Sequence, residues 1–235
     1  MTAVTFDFGQ TLAAIDSAMV AARLHERGVH VAADRVDAEC QGAWRAYNEA
    51  KHAGAHGEQV WKVFMRTLLS RSGAPSDRIG ELADWLWGEQ PRRNLWRRPV
   101  AGMIELAREL TASGTPVGVL SNSEGRLVEL LEELGWNVVF SSIVDSGRLP
   151  FEKPDPRIFF HAAAALGVAP PSLIHVGDAW EADVRGALDV GARAIYFSRE
   201  APLETNNRVA WCRDVAEVRR ALNNWGLLKE QEASK

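Results

Sequence analysis

The feature that most constrains this chain is the alternation, after Pro99, of short apolar runs with stretches of helical periodicity. Val117-Gly118-Val119-Leu120, Val138-Val139-Phe140, Leu173-Ile174-His175-Val176 and Ala194-Ile195-Tyr196-Phe197 are too short for helices and read as buried strands. Helix-length segments separate them. One covers 103–110 and ends near Gly114, and another covers 125–134 and stops at Gly135. A third covers 156–166, with Pro156 in its first turn and Gly167 at its stop, and 214–225 reads as a closing helix. Parallel neighbours need crossovers of this length, so the pattern predicts an α/β fold: a parallel sheet with helices on both faces. One further strand, Ala3-Val4-Thr5-Phe6, precedes all of these and ends at Asp7.

Residues 15–98, between that first strand and the others, show no strand pattern. Met19, Val20 and Leu24, then Val60, Val63, Phe64 and Leu68, fall at helical spacing. Trp44, Trp61, Trp85, Trp87 and Trp96 lie in this stretch and read as helix-packing core, because aromatic side chains are the largest burial units available. Lys51 to Gly57 reads as a loop between helices. The expected organisation is a core domain of 1–14 and 99–235 interrupted by an all-helical domain over 15–98, with a frayed polar tail from Lys229.

Charge and cysteine content narrow the function classes. With 27 basic against 31 acidic residues the net charge is −4, so neither a nucleic-acid partner nor an anionic membrane surface is expected. Cys40 and Cys212 stand far apart in no metal-like spacing and fit a reducing compartment. The first residues carry Asp7 within their apolar stretch and lack a basic flank, so no signal peptide is expected, and no apolar run approaches bilayer length. A cytoplasmic enzyme or binding protein is the expectation.

Ligands of open parallel sheets bind beyond the carboxyl ends of the strands. Four polar clusters fall there: Asp7-Phe8-Gly9-Gln10-Thr11, Ser121-Asn122, Lys153 within Glu152-Lys153-Pro154-Asp155-Pro156, and Gly177-Asp178 with Asp183 five residues on. Together they supply a nucleophile candidate, a hydroxyl–amide pair, a cation and two more carboxylates. Such a set suits a phosphoryl group beside a divalent cation, since phosphoryl transfer asks mainly for positioning and charge neutralisation. Carboxylates from two strands can hold Mg²⁺, a lysine and hydroxyls can hold phosphate oxygens, and an aspartate in line can attack phosphorus.

In their order and spacing, FDFGQTL, VLSNSEG, FEKPDPRIF and HVGDAWEAD resemble the haloacid dehalogenase superfamily of hydrolases, across the whole chain. The resemblance implies a Rossmann-like core with a helical cap inserted after the first motif. It also implies Asp7 as the nucleophile that forms an aspartyl-phosphate, with Thr11 steadying the first loop and facing the substrate. Ser121, Asn122 and Lys153 would hold the phosphate, and Lys153 would also compensate the charge of Asp7. Mg²⁺ would be held by Asp7, the Gly9 carbonyl and Asp178. Asp183 would complete the metal site from behind or orient Lys153. The implied activity is Mg²⁺-dependent hydrolysis of a small phosphorylated metabolite.

The resemblance also marks a departure. Phosphatase members carry a second aspartate two residues after the nucleophile, as acid for the leaving group and base for water, and here that position is Gly9. General acid–base catalysis is worth roughly 10²–10⁴-fold, so aryl or acyl phosphates are expected to outrun alkyl ones unless His52, His56 or Glu58 substitutes. Three other readings stay open. One is a carbon–phosphorus hydrolase resembling phosphonoacetaldehyde hydrolase, which would need Lys51 or Lys62 for a Schiff base. Another is metal-free dehalogenation, which puts Tyr where Gly9 stands. The third is a phosphate- or partner-binding protein on a blunted hydrolase scaffold. His175 reads as a hydrogen-bonded core histidine and Trp180 as packing against the cap. The pairs Arg92-Arg93 and Arg97-Arg98 read as a solvated hinge or an anion-steering patch.

Overall fold

The computed structural model describes residues 1–55, 57–202, 204 and 206–228. In chain order it contains β1 (Ala3–Phe6), β2 (Ala13–Ile15), α1 (Ser17–Glu26), α2 (Ala33–His52), α3 (Gly57–Arg71), α4 (Ile79–Glu89), β3 (Trp96–Pro99), α5 (Met103–Ala112), β4 (Val117–Ser121) and α6 (Leu127–Glu133). These are followed by β5 (Ser142–Asp145), α7 (Pro156–Ala165), β6 (Leu173–Gly177), α8 (Gly186–Asp189), β7 (Arg193–Phe197), β8 (Val209–Cys212) and α9 (Val215–Asn224). The chain forms two compact units, one of Met1–Ala14 with everything from Trp96 onward, the other of Ile15–Leu95.

In the first unit six strands form one sheet in the order β5-β4-β1-β6-β7-β8, all neighbours parallel. Every residue of β1, β4 and β6 is buried, as strands covered on both faces require. From β1 the chain first builds outward through β4 and β5, then returns to build β6, β7 and β8 on the other side. The reversal opens a crevice at the carboxyl ends of β1 and its neighbours. Side-chain caps start the helices where expected: Asp155 accepts from the Arg157 amide ahead of Pro156, and Asp214 accepts from the Glu217 amide.

The second unit is built from α1–α4. Asp16 caps α1 through the Met19 amide. Val20, Leu24, Val60, Phe64 and Leu68 are all buried, with Leu82 and Leu86 of α4. Trp44 and Phe64 stack with ring centroids 4.3 Å apart, and Trp61 lies 5.2 Å from Trp87. Among the described residues, no helix is long and apolar enough to cross a membrane.

Several sequence expectations need correction. Asn137–Val139 is a turn of 3₁₀-helix, with Val138 82% exposed, and the strand begins at Ser142. The apolar triplet is displaced because Gly135, at φ 69°, turns the chain at the end of α6, and the Trp136 amide bonds back to Leu131. The stretch read as strand-free contains Trp96–Pro99, which pairs with β2 in a two-stranded sheet. β8, at the sheet edge, carried no sequence expectation. The loop expected over 51–57 is shorter, because α2 continues through His52 and α3 begins at Gly57. The tail from Lys229 lies outside the described residues.

Candidate active site

Asp7 follows β1 directly, and its backbone amide donates to Val176 O at 2.8 Å, which fixes it between β1 and β6. The loop after it is tightly closed: the amides of Leu12 and Ala13 both donate to Phe8 O at 2.9 Å, and Gln10 adopts a left-handed φ of 58°. Lys153, 3% exposed, reaches this point from the segment before α7. Its ammonium donates to Asp7 Oδ1 at 2.6 Å, Asp183 Oδ1 at 2.6 Å and Leu120 O at 2.9 Å, which engages all three of its protons.

Asp183 stands on a π-helical turn, Trp180–Arg185, a geometry often found at functional sites. Its Oδ1 also meets His175 Nε2 at 3.1 Å, and its Oδ2 accepts from the Ala179 amide at 2.9 Å. Glycine is required at 177, because a Cβ there would lie 2.3 Å from the Asp183 carboxyl carbon. His175 is fully buried between Asp183 and Thr5 Oγ1, the latter at 2.9 Å, and is the core histidine expected. Burial holds its pKa below the ordinary value, although Asp183 opposes the shift.

One carboxylate oxygen from each of Asp7, Asp178 and Asp183 lies within 4.8 Å of the other two. Desolvation, reinforced by Asp7 and Asp183, pushes Asp178 well above the usual carboxylate range. Asp7 is raised for the same first reason, although Lys153 opposes the shift. At Asp183 burial also acts upward, but Lys153 and His175 outweigh it and bring the group down. Lys153 is raised, its own desolvation being overcome by Asp183 and Asp7. Three carboxylates thus face one ammonium, an excess of negative charge presented entirely by oxygen donors. This donor set fits a hard divalent cation.

The structure brings Asp7, Lys153, Asp178 and Asp183 together and buries Ser121 at the end of β4 beside them in the sheet. Two expected substrate contacts are placed differently. The Asn122 amide pairs with the backbone of Lys153, donating to its carbonyl at 2.9 Å and accepting from its N–H at 2.8 Å, so it holds the lysine segment. Thr11 has no exposed surface and its hydroxyl has no hydrogen-bond partner among the described residues, so it belongs to the packing of the loop. Asp145, which the sequence reading missed, lies opposite Ser121 on β5. Its carboxylate accepts from Ser123 Oγ and from the amides of Gly125, Leu127 and Gly147, fixing the loop that follows Ser121-Asn122.

Other candidates resolve into structure. Trp180 is buried in the core of the first unit and packs edge-on against Tyr196 at 5.3 Å. Arg93 is paired with Glu26, and Arg97 with Glu133, which argues against a steering patch. In the second unit Lys62 bonds Asp84 at 2.8 Å and Glu58 at 2.5 Å, and these hydrogen bonds raise its pKa, opposite to what a Schiff-base lysine requires. The same pair engages Glu58. Lys51 lies 5.8 Å from the Tyr47 ring. His56 lies outside the described residues, and His52 is described only as the last residue of α2.

A six-stranded parallel sheet with carboxylates at its switch point and a buried lysine between them defines a class of hydrolase. The family model for haloacid dehalogenase-like hydrolases matches residues 1–191, and the chain belongs to this family. It is 37% identical over 139 residues to a phosphoserine phosphatase of Thermus thermophilus, an alignment covering 59% of this chain and only about half, 54%, of that relative. Over 158 residues it is 33% identical to a glyceraldehyde 3-phosphate phosphatase of Methanothermobacter thermautotrophicus, covering 61% of this chain and 70% of the relative. Among solved structures, a HAD-hydrolase of Bacillus subtilis, crystallised bound to magnesium, shares the fold with a TM-score of 0.69 at 18% identity, over 94% of this chain and 98% of the other.

Proposed function

We propose that the protein is a Mg²⁺-dependent phosphatase acting on a small phosphorylated metabolite through an aspartyl-phosphate on Asp7. The observation that carries this reading is the Asp7 carboxylate itself: Oδ1 is held by Lys153 at 2.6 Å within a cluster of three carboxylates. The phosphatase relatives support the reaction class.

Asp7 Oδ2 attacks phosphorus, the ester P–O bond breaks, and the electron pair leaves on the ester oxygen. Water then cleaves the Asp7–phosphorus bond, returning the carboxylate and releasing inorganic phosphate. Before attack Lys153 compensates Asp7. Once Asp7 is phosphorylated its charge is gone, and the Lys153 hydrogen bond to Oδ1 is freed to turn toward the phosphoryl oxygens, Lys153 staying an ammonium, with Ser121 as neighbour. Asp7, the Gly9 carbonyl and Asp178 would hold Mg²⁺, which when bound neutralises phosphoryl charge. We assign Asp183, both of whose oxygens already accept protein donors, to aiming Lys153. Residues 15–98 are the substrate-selecting cap, and the free thiols Cys40 and Cys212 fit a cytoplasmic setting.

Gly9 stands in place of the family's proton-transfer aspartate, so aryl phosphates should turn over about 10²-fold or more faster than alkyl ones. The test is phosphate release from p-nitrophenyl phosphate by the native protein and by Asp7→Asn, with and without Mg²⁺. Turnover that needs both Asp7 and Mg²⁺ is expected. Turnover equal in the variant, or equal rates on aryl and alkyl esters, would count against the reading.

A further inference from the structure

Gly9 is not a glycine that its backbone demands. Its φ lies outside the left-handed region, and a Cβ built there meets only ordinary van der Waals contacts. Those contacts are informative. The Cβ would lie 3.6 Å from both Cδ1 and Nε1 of Trp96 and 4.0 Å from Asp7 Oδ2. The pyrrole edge of the indole and the Asp7 oxygen not bonded to Lys153 therefore both lie within 4.0 Å of one point. A carboxylate extended from residue 9 would have that indole edge on one side and a like-charged oxygen on the other. Trp96 is held in place. It opens β3, is 8% exposed, and the chain just after β3 is tied to the Asp7 loop by the Val100 amide, which donates to Leu12 O at 2.9 Å.

We infer that Trp96 is a specificity-determining residue of this site. Its indole edge, beside Gly9 and Asp7, gives the departing group an edge-on aromatic contact where a proton donor would otherwise stand. The site therefore takes phosphate esters whose leaving oxygen is conjugated to a π-system, aryl or enol phosphates, in preference to alkyl ones. The two halves of the arrangement agree chemically. A phenolate, of pKa about 10, departs without a proton far more readily than an alkoxide, whose pKa is near the roughly 16 of water. The planar group that makes such an oxygen a good leaving group is also the group that an indole packs against.

For turnover this inference rests on the phosphatase reading; for recognition it does not, and binding of inert analogues separates the two. Titration calorimetry of the whole protein with Mg²⁺ would compare phenylphosphonate with methylphosphonate. The native protein should bind the phenyl compound about five- to tenfold more tightly, the range of an aromatic contact. In Trp96→Leu the preference should fall to twofold or less while methylphosphonate affinity is retained, a split that general loosening of the site would not produce. Should Trp96→Leu fail to fold, Gly9→Ala places a methyl in the same space with Trp96 intact and should also reduce the preference. Equal native affinities, no binding of either phosphonate, or a preference that survives in the folded variants would overturn the role of Trp96. Preference without Asp7-dependent turnover of p-nitrophenyl phosphate would leave Trp96 standing and remove the phosphatase reading.

Discussion

Lys153 is the residue on which the site's charge balance turns. It is the ammonium that Asp7 and Asp183 share, and both contacts are made with almost no water present. Removing one partner of a buried ionic cluster costs about 3–5 kcal/mol, because the remaining charges stay desolvated. In Lys153→Met, Asp7 and Asp178 would keep raised folded-state pKa values with no ammonium to oppose them, and Asp183 would lose the main charge that brings it down. A carboxyl whose folded pKa exceeds its unfolded value loses stability as pH rises between the two. The deficit of Lys153→Met should therefore grow from pH 5.5 to pH 8, read from urea unfolding at both, and turnover should vanish. A deficit equal at the two pH values would show that lost packing, not charge, dominates. The sequence showed Asp7, Lys153, Asp178 and Asp183 because each is a polar residue stranded at the end of an apolar run. It did not show that Asn122 clasps the Lys153 backbone, or that Trp96 stands over Gly9. Those are contacts between segments distant in sequence, and spacing within a segment carries no trace of them.

At the scale of elements, the loop from β4 into α6 is organised by Asp145, and it carries a titrating group beside that carboxylate. Burial, with Asp145 adding to it, pushes Glu124 up to about 7. Its folded pKa lies above its unfolded value, so the native protein loses stability as pH rises from about 4.5 to 7. Glu124→Gln should be more stable than the native protein at pH 8 by about 2 kcal/mol, with allowance for partial exposure, and nearly equal to it at pH 4.5. Unfolding curves at the two pH values check this, and a constant difference would show that the carboxyl is not the cause. Asp145 escaped the sequence reading for a reason at this same scale. The apolar triplet Val138-Val139-Phe140 reads as the strand, which puts the strand end before Ser142. The true strand, Ser142-Ile143-Val144-Asp145, has only two apolar residues and lies at the sheet edge, where alternation is weak. β8, Val209-Ala210-Trp211-Cys212, is apolar throughout but only four residues long, and it lies at the other edge of the sheet with Trp211 exposed. Central strands were legible because both of their faces are covered, which makes them continuously apolar.

At the scale of the molecule, the fold class was legible because parallel strands impose helix-length crossovers, and the chain displays them in order. The resulting topology also decides where metal binding acts on stability. Asp7 follows β1, while Asp178 and Asp183 follow β6, so a cation held among them joins the two halves of the sheet across the reversal in strand order. Without a cation the sheet holds three carboxylates against one ammonium, and folding works against that repulsion. A ligand that binds only the folded state at about 100 times its Kd adds about 2.7 kcal/mol. At roughly 2–4 °C per kcal/mol for a chain of this size, Mg²⁺ should raise the melting temperature by about 5 °C or more. Asp178→Asn removes one repelling charge and one of the proposed ligands together. It should melt higher than the native protein in metal-free buffer at pH 8, where the native carboxylate is forced toward ionisation, yet gain much less from Mg²⁺. All the proposed ligands belong to the first unit, so the shift should appear in the transition that unfolds the sheet. Scanning calorimetry of both proteins with and without Mg²⁺ reads these outcomes. An equal Mg²⁺ shift in the two would mean that the cation acts elsewhere, and a lower metal-free melting point for Asp178→Asn would mean that the Asp178 carboxylate stabilises the sheet rather than straining it.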